Sequence, residues 1–159
     1  RSGHNIDPAM IENAMATHPA VKLAAAVGMP DAYAGELPVC FVELAPGSEV
    51  SLDDLQHHAQ ASIDERPAWP KQIHVIDAIP LTTVGKIFKP SLRCDAAKMK
   101  VTELVQGELG LAKASVDVVA GGPRGMRVTV TLTQDDRASV SAVEEVLARF
   151  LFEAQVDVV

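Results

Sequence analysis

The residues best suited to chemistry lie in the segment LTTVGK, at positions 81–86. Two threonine hydroxyls, a glycine at position 85 and the Lys86 ammonium could approach a phosphate or a carboxylate closely, with the lysine acting as a mobile positive charge. The segment is not a Walker A loop, because the first glycine of that motif is missing and no Ser or Thr follows the lysine. Since exposed lysines are common, the segment alone favours a solvated surface lysine.

A second candidate for anion binding is the segment RSGHNIDP that opens the sequence. Gly3 permits a close approach of the backbone to a ligand, and it precedes a predicted helix N-terminus, which favours anions. Asp7 as the N-cap and Pro8 at the first helical position are explained by helix capping alone. The residues themselves therefore indicate two anion sites at most.

Length and composition indicate a globular protein of modest size. The chain has 159 residues, a mass of 16.9 kDa, 48% apolar residues and a mean hydropathy of +0.14. This suits one domain, or one compact domain with a small appendage. The net charge of −7 argues against binding to nucleic acid or to an anionic membrane over the whole surface. A local exception is the stretch 86–100, which holds five basic residues and one acid.

Several functional classes lack their sequence signals. No apolar run reaches the length of about 20 residues that a membrane span needs, and the opening residues do not resemble a secretion signal, so we expect a cytoplasmic protein. Cys40 and Cys94 stand far apart without a paired CxxC, which favours buried or idle thiols and predicts no metal site. The sequence opens on a polar motif without Met, and we expect it to be part of something larger.

Five elements are predicted before the LTTVGK segment, in the order α, β, β, α, β. Continuous apolar runs predict strands that are buried on both faces, and capping residues mark the starts of the helices. The predicted elements are a helix from Pro8, strands at 21–27 and 38–44, a helix capped by Ser51, and a strand at 71–78.

After the LTTVGK segment, Pro90 is predicted to begin a short basic helix, and a second unit follows. The segment 126–133 alternates polar and apolar residues and follows the turn GGPRG, which predicts a β-hairpin. A capping-box pattern at Ser141 and Glu144 marks a helix, and VDVV at the end of the sequence predicts a strand. The fold class is therefore predicted as α+β: a small mixed sheet flanked by helices, followed by a ββαβ extension. We place the boundary between residues 1–100 and 101–159, and we detect no internal repeat.

The order of motifs in the first hundred residues resembles that of a known family. The succession SGHNIDPAMIE, HPAV, VGMPDAYAGELPVCFVEL, WPKQIHVIDAIP and LTTVGKIFKPSLR is similar to the C-terminal domain of the adenylate-forming enzymes. This superfamily comprises acyl-CoA synthetases, peptide-synthetase adenylation domains and luciferases. The resemblance is collinear over residues 1 to about 95 and does not extend to the ββαβ unit.

The resemblance implies a specific chemistry. Such enzymes activate a carboxylate with ATP to give an acyl adenylate and pyrophosphate, and their C-terminal domain then swings to present another face for the second half-reaction. Lys86 occupies the position of the catalytic lysine, which bridges the carboxylate and the α-phosphate. Gly3 matches the glycine that lines the pantetheine tunnel of CoA-using members. Thr83 and Gly85 are the further cofactor-binding candidates.

The resemblance also implies partners that the sequence does not contain. ATP and CoA are expected as substrates, and Mg²⁺ is expected with ATP but not as a ligand of this domain. A large N-terminal domain would carry the phosphate loop and the adenine and acyl pockets, so we expect the isolated chain to be inactive. The leading interpretation is an acyl-CoA synthetase acting on a small-molecule carboxylate. The alternatives are a peptide-synthetase adenylation domain and a stand-alone module that binds anions or proteins.

Other residues have simpler interpretations. Glu12 is expected to play a structural part, and Arg93 is equally well explained by anion binding and by helix solubility. His57 and His58 are adjacent on a helix and cannot face one ligand together, so both are predicted to be exposed. Trp69 departs from the family pattern before the Pro-Lys pair, which puts a CoA-phosphate contact there in doubt.

Overall fold

Two three-stranded sheets with four α-helices make up the chain in the computed structural model, which describes residues 5–159. The first five elements follow the predicted order, and the α+β class is confirmed. The elements are α1 (Pro8–Ala16), β1 (Val21–Asp31), β2 (Gly35–Leu44), α2 (Leu52–Ser62), β3 (Gln72–Val75), α3 (Lys89–Thr102), β4 (Ser115–Ala120), β5 (Met126–Leu132), α4 (Val140–Leu147) and β6 (Glu153–Val158).

Side-chain caps fix the starts of the first two helices, as the sequence predicts. Asp7 accepts a hydrogen bond from the Ala9 N–H at 3.0 Å, and Pro8 begins α1. Ser51 accepts from the Asp54 N–H at 3.1 Å at the start of α2. Each cap satisfies a backbone donor that has no partner within its helix.

The first sheet has the order β1–β2–β3, and helices cover both of its faces. β1 and β2 are antiparallel, with Ala25 opposite Phe41, and β3 runs parallel to β2. One face packs on α1 and α2 through Ala24, Ala26 and other small side chains. The opposite face, which includes Ala25 and Phe41, packs on α3. Burial on both faces explains why these strands read as continuous apolar runs.

The second sheet has the order β4–β5–β6 and repeats the topology of the first. In both sheets an antiparallel hairpin is followed by a helix and a third strand parallel to the second. This ββαβ repeat was not detected in the sequence. The start of α4 was also predicted wrongly, because the helix begins at Val140 after a 3₁₀ segment (Gln134–Ser139), so Ser141 lies inside its first turn.

Helix α3 connects the two cores. Leu92 and Ala96 pack with the first sheet, whereas Val101 packs with the second. A π-helix (Glu103–Glu108) continues α3 directly, so the helical segment is longer than predicted and runs across residue 100. The division into residues 1–100 and 101–159 stays a prediction. Within residues 5–159, none of the helices combines the length and apolar character that a membrane crossing requires.

Candidate functional site

The predicted LTTVGK loop is a tight β-hairpin. Leu81 and Ile87 form an antiparallel bridge, and the Phe88 N–H donates to the Pro80 carbonyl at 2.8 Å. The Thr82 N–H donates to the Lys86 carbonyl at 2.6 Å, which closes a three-residue loop. The chain therefore presents residues 83–85 at the tip of a hydrogen-bonded stem.

Thr82 and Gly85 determine the shape of the hairpin tip. The Thr82 hydroxyl accepts from the Lys86 N–H at 3.1 Å, and the Thr82 carbonyl accepts from the Gly85 N–H at 2.9 Å. Gly85 has a φ of +84°. This left-handed conformation recurs in three-residue hairpin loops, and glycine adopts it most readily. Thr83 is exposed, and no hydrogen bond within residues 5–159 occupies its hydroxyl. Thr83 can therefore face a ligand, whereas Thr82 holds the loop together.

Lys86 is an exposed side chain at the end of this loop. In the described part of the chain, neither an ion pair nor a hydrogen bond engages its ammonium group. Three apolar side chains of the same hairpin are exposed to an unusual degree: Leu81 at 50%, Val84 at 78% and Phe88 at 44%. A free ammonium group among uncovered apolar side chains is suited to an anion that a second surface would enclose.

Glu12 holds the chain that leaves the hairpin, at the start of α3. One carboxylate oxygen of Glu12 lies 3.1 Å from the Lys89 Nζ and accepts from the Ala26 N–H, also at 3.1 Å. These contacts join α1, β1 and the start of α3, three residues after Lys86. Glu12 therefore has the structural part that the sequence indicated.

Glu43, which the sequence analysis did not single out, holds the chain that leads into the hairpin. Its side chain is on the α3 face of β2, and the residue is only 8% exposed. One oxygen accepts from the Ile79 N–H at 2.8 Å, and the other lies 3.0 Å from the Lys22 Nζ. The Ile79 N–H and, next, Lys22 hold the pKa of Glu43 below its ordinary value. The available signal was an acid inside the apolar run PVCFVEL.

A groove of about 340 Å³ lies beside α1 and the β1–β2 hairpin. Asn5, Ile6 and Arg93 line it, together with Glu36 and Gly28. The Glu36 side chain lies over Gly28, where an added Cβ would collide with the carboxylate. The structure therefore places Arg93 and Asn5 among the residues that line one groove, and Lys86 is not among them. Gly3, the predicted tunnel residue, lies outside the described residues.

The predicted exposure of the paired histidines is correct for His57 only. His57 is exposed, but His58 is half-buried, and its Nε2 lies 2.9 Å from both the Ala14 carbonyl and the Thr17 hydroxyl. His58 also packs edge-on against the His18 ring at 5.0 Å. These contacts join α2 to the end of α1, so His58 serves packing.

Trp69 also has a structural part. Its indole Nε1 donates to the Ile63 carbonyl at 2.9 Å, and the Arg66 guanidinium lies over its ring at 5.2 Å. Both contacts stabilise the link between α2 and β3. Lys71, two residues later, is exposed.

Within the described residues, the thiols and acidic side chains form no further centre. Cys40 is buried, Cys94 is half-buried, and both are free. Burial is the main cause that raises the pKa of Cys40 to about 12. From Asn5 to Val159, no three His, Cys, Asp or Glu side chains converge as a metal site would require.

Known proteins match this chain in sequence and in structure. The sequence model of the AMP-binding enzyme C-terminal domain matches residues 10–86. The marinolic acid–CoA ligase of Pseudoalteromonas sp. (strain SANK 73390) is 42% identical over 130 residues, which are 82% of this chain and 20% of that protein. The mouse mitochondrial acyl-coenzyme A synthetase ACSM1 is 36% identical over 97 residues, 58% of this chain and 17% of that protein.

Among solved structures, the acyl-CoA synthetase of Brucella canis superimposes with a TM-score of 0.57 and 36% identity, over 62% of this chain and 19% of that one. The chain thus spans a fifth or less of the length of these relatives. A match to 82% of the chain cannot fit within residues 1–100, so the similarity to the marinolic acid ligase includes part of the second unit. The motif order, the fold and these matches agree: the chain contains a C-terminal domain of the adenylate-forming enzyme superfamily, and the family model matches residues 10–86.

Proposed function

We propose that the chain acts as the mobile C-terminal domain of an acyl-CoA synthetase, which converts a carboxylate, ATP and CoA into acyl-CoA, AMP and pyrophosphate. Lys86 is the adenylation lysine in this proposal. The observation that carries the proposal is the exposed Lys86 ammonium, without a partner in the described part of the chain, on a hairpin fastened at both sides. The acyl-CoA synthetases among the relatives support the same chemistry.

The geometry of the hairpin suits electrostatic stabilisation of adenylate formation. A carboxylate oxygen attacks the α-phosphorus of ATP, pyrophosphate leaves, and negative charge on the α-phosphoryl group rises in the transition state. An ammonium group on a preorganised stem stabilises that charge without the cost of ordering a flexible loop. The Thr83 hydroxyl can donate a hydrogen bond to the nucleotide, and Gly85 lets the backbone approach the nucleotide closely because it has no side chain.

The exposed apolar side chains at the hairpin favour a protein surface as the cover of this site. Leu81, Val84 and Phe88 would be shielded from water when a large N-terminal domain packs against the hairpin. Exclusion of water would also strengthen the attraction between Lys86 and the developing charge. ATP, accompanied by Mg²⁺, and the carboxylate would be held mainly by the large domain.

The second half-reaction would use another surface of the domain. The groove beside Asn5 and Arg93 offers a guanidinium group and a concavity of about 340 Å³, which could receive part of CoA. Gly3 precedes this groove in the chain by two residues, and its proposed tunnel role stays a prediction. Rotation of the domain would exchange the Lys86 hairpin for this groove at the acyl adenylate.

Separate assays of the two half-reactions test the proposal. In an enzyme in which this chain follows the large domain, Lys86→Ala should slow adenylate formation by several powers of ten. The conversion of preformed acyl adenylate with CoA should remain near the wild-type rate, because Lys86 acts in only one transition state. Equal losses in both half-reactions would show that Lys86 is structural and would contradict its assignment.

The acceptor of the acyl group has a second candidate. The amide bond synthetase McbA of Marinactinospora thermotolerans superimposes on 57% of this chain with a TM-score of 0.52 and 28% identity. An amine acceptor is therefore the alternative to CoA, alongside the carrier protein of a peptide synthetase. Supplying preformed acyl adenylate with CoA, with a simple amine or with a carrier protein would separate these cases by the product formed.

A further inference from the structure

We propose that Glu43 is a positioning residue for the adenylation step. By accepting a hydrogen bond from the Ile79 N–H, its carboxylate holds the segment that leads into the Lys86 hairpin (residues 80–88) against β2. The inference rests on the proposed role of Lys86. It concerns a residue that touches neither substrate nor cofactor and acts through the backbone of the hairpin.

The first support is the place of Glu43 in the fold. Glu43 occupies the face of β2 that also carries Phe41, where the neighbouring side chains are apolar and contact α3. A carboxylate at such a position costs free energy unless its oxygens are paired. Both oxygens are paired, one with the Ile79 N–H at 2.8 Å and the other with Lys22 at 3.0 Å.

The second support is the connection from Ile79 to the hairpin. Pro80 follows Ile79 directly, and its carbonyl accepts the Phe88 N–H at 2.8 Å, which is the outermost hydrogen bond of the stem. The Ile79 side chain is 3% exposed and packs in the cluster that contains Phe41 and Leu92. Glu43 therefore fixes the backbone one residue before the stem begins, while Ile79 fills the core below it.

The third support is the contrast with the residues just before Ile79. The Ile76 N–H donates to the Val42 carbonyl at 2.9 Å, after which Asp77 and Ala78 are exposed. Without Glu43, the backbone between Ile76 and the hairpin would lose its hydrogen bond to the sheet. The stem could then shift, and the Lys86 ammonium would shift with it.

The experiment combines hydrogen exchange with half-reaction kinetics. In the 159-residue chain, Glu43→Leu should speed amide exchange at Thr82 and Phe88 by about tenfold, because a buried donor loses its partner. Exchange within β5 should stay unchanged. Glu43→Gln keeps an acceptor oxygen for Ile79 and should restore wild-type exchange at both amides.

In the enzyme that includes the large domain, Glu43→Leu should slow adenylate formation by about tenfold and leave thioester formation from preformed adenylate within about twofold. Glu43→Gln should recover the adenylation rate. Unchanged hairpin exchange in Glu43→Leu, or equal acceleration in β5, would overturn the inference, as would a failure of Glu43→Gln to restore adenylation.

Two further measurements keep the test decisive. If Glu43→Leu does not fold, amide exchange in the wild-type chain still tests the inference. The Ile79 amide should exchange at least about tenfold more slowly than the Ala78 amide. Equal exchange rates would overturn the inference. Lys86→Ala separates the two proposals. If Lys86→Ala leaves adenylation intact, the proposed function fails, whereas a loss in Lys86→Ala without one in Glu43→Leu refutes the Glu43 inference alone.

Discussion

Replacement of Gly85 by alanine tests whether the shape of the hairpin matters for the chemistry. Gly85 has a φ of +84°, and an added Cβ would meet no atom within 4 Å. The cost is therefore confined to the backbone conformation, about 1–2 kcal/mol for a non-glycine residue in the left-handed region. Since about 1.4 kcal/mol corresponds to a factor of ten, the closed hairpin should lose roughly 5- to 30-fold in population relative to rearranged loops.

Gly47 provides a matched control for this substitution. It lies between β2 and α2 with a φ of +75°, and an added Cβ there also meets no atom within 4 Å. Urea unfolding should show that Gly85→Ala and Gly47→Ala lower the free energy of unfolding by similar amounts, at most about 1–2 kcal/mol. ATP–pyrophosphate exchange, measured with the large domain present, should slow in Gly85→Ala only. Equal exchange rates in the two variants would refute the reasoning, because the tip geometry would then be irrelevant to adenylation.

Three further predictions concern the core and the titratable groups. Leu92→Ala should lower the free energy of unfolding by about 2–5 kcal/mol, whereas Leu52→Ala, at a side chain 55% exposed, should change it by less than about 0.5 kcal/mol in urea titrations. Cys94 should react with a thiol reagent at pH 8 before Cys40, whose pKa is raised to about 12 by burial; faster labelling of Cys40 in the folded chain would contradict its burial. The lowered pKa of Glu43 means that its ionised form stabilises the fold above the unfolded-state pKa of about 4.3, and that this contribution is lost as the pH falls through the folded-state pKa. The stability difference between the wild type and Glu43→Gln should therefore shrink in acid, and a difference that grows would contradict the assignment.

The first sheet could be predicted from the sequence because its physical causes are local. Both faces of β1 and β2 are covered by helices, so the segments 21–27 and 38–44 are apolar except for Lys22 and Glu43, which pair with each other. The caps at Asp7 and Ser51 involve neighbours two and three residues away. Each of these signals lies within a short window of sequence.

The topological repeat could not be detected in the same way. The second sheet carries buried valines in alternation with half-exposed threonines in β5, because only one face packs on its core. Its residue pattern therefore differs from that of the first sheet, although the strand order and directions are the same. Similar topology does not require a similar pattern when the layers that cover the sheets differ.

The candidate site contains both kinds of feature: some residues follow from local sequence, and others depend on contacts between distant segments. Lys86, Thr83 and Gly85 were singled out because they stand within six residues of sequence and because the order of motifs around them resembles a known family. The pairing of Glu43 with Ile79 spans 36 residues, and that of His58 with Ala14 spans 44. No local pattern specifies such contacts, since they arise from the packing of α1, α2 and the segment after β3 around the sheet.

The measurement that tests the central claim most directly is the ratio of the two half-reaction rates in Lys86→Ala, with Lys113→Ala as the control. Lys113 lies in the second unit, where its side chain is 72% exposed and its Nζ lies 3.7 Å from an Asp135 carboxylate oxygen. The account predicts that Lys86→Ala loses adenylate formation by at least about a hundredfold relative to thioester formation, while the ratio for Lys113→Ala equals that of the wild type. An unchanged ratio in Lys86→Ala would contradict the account.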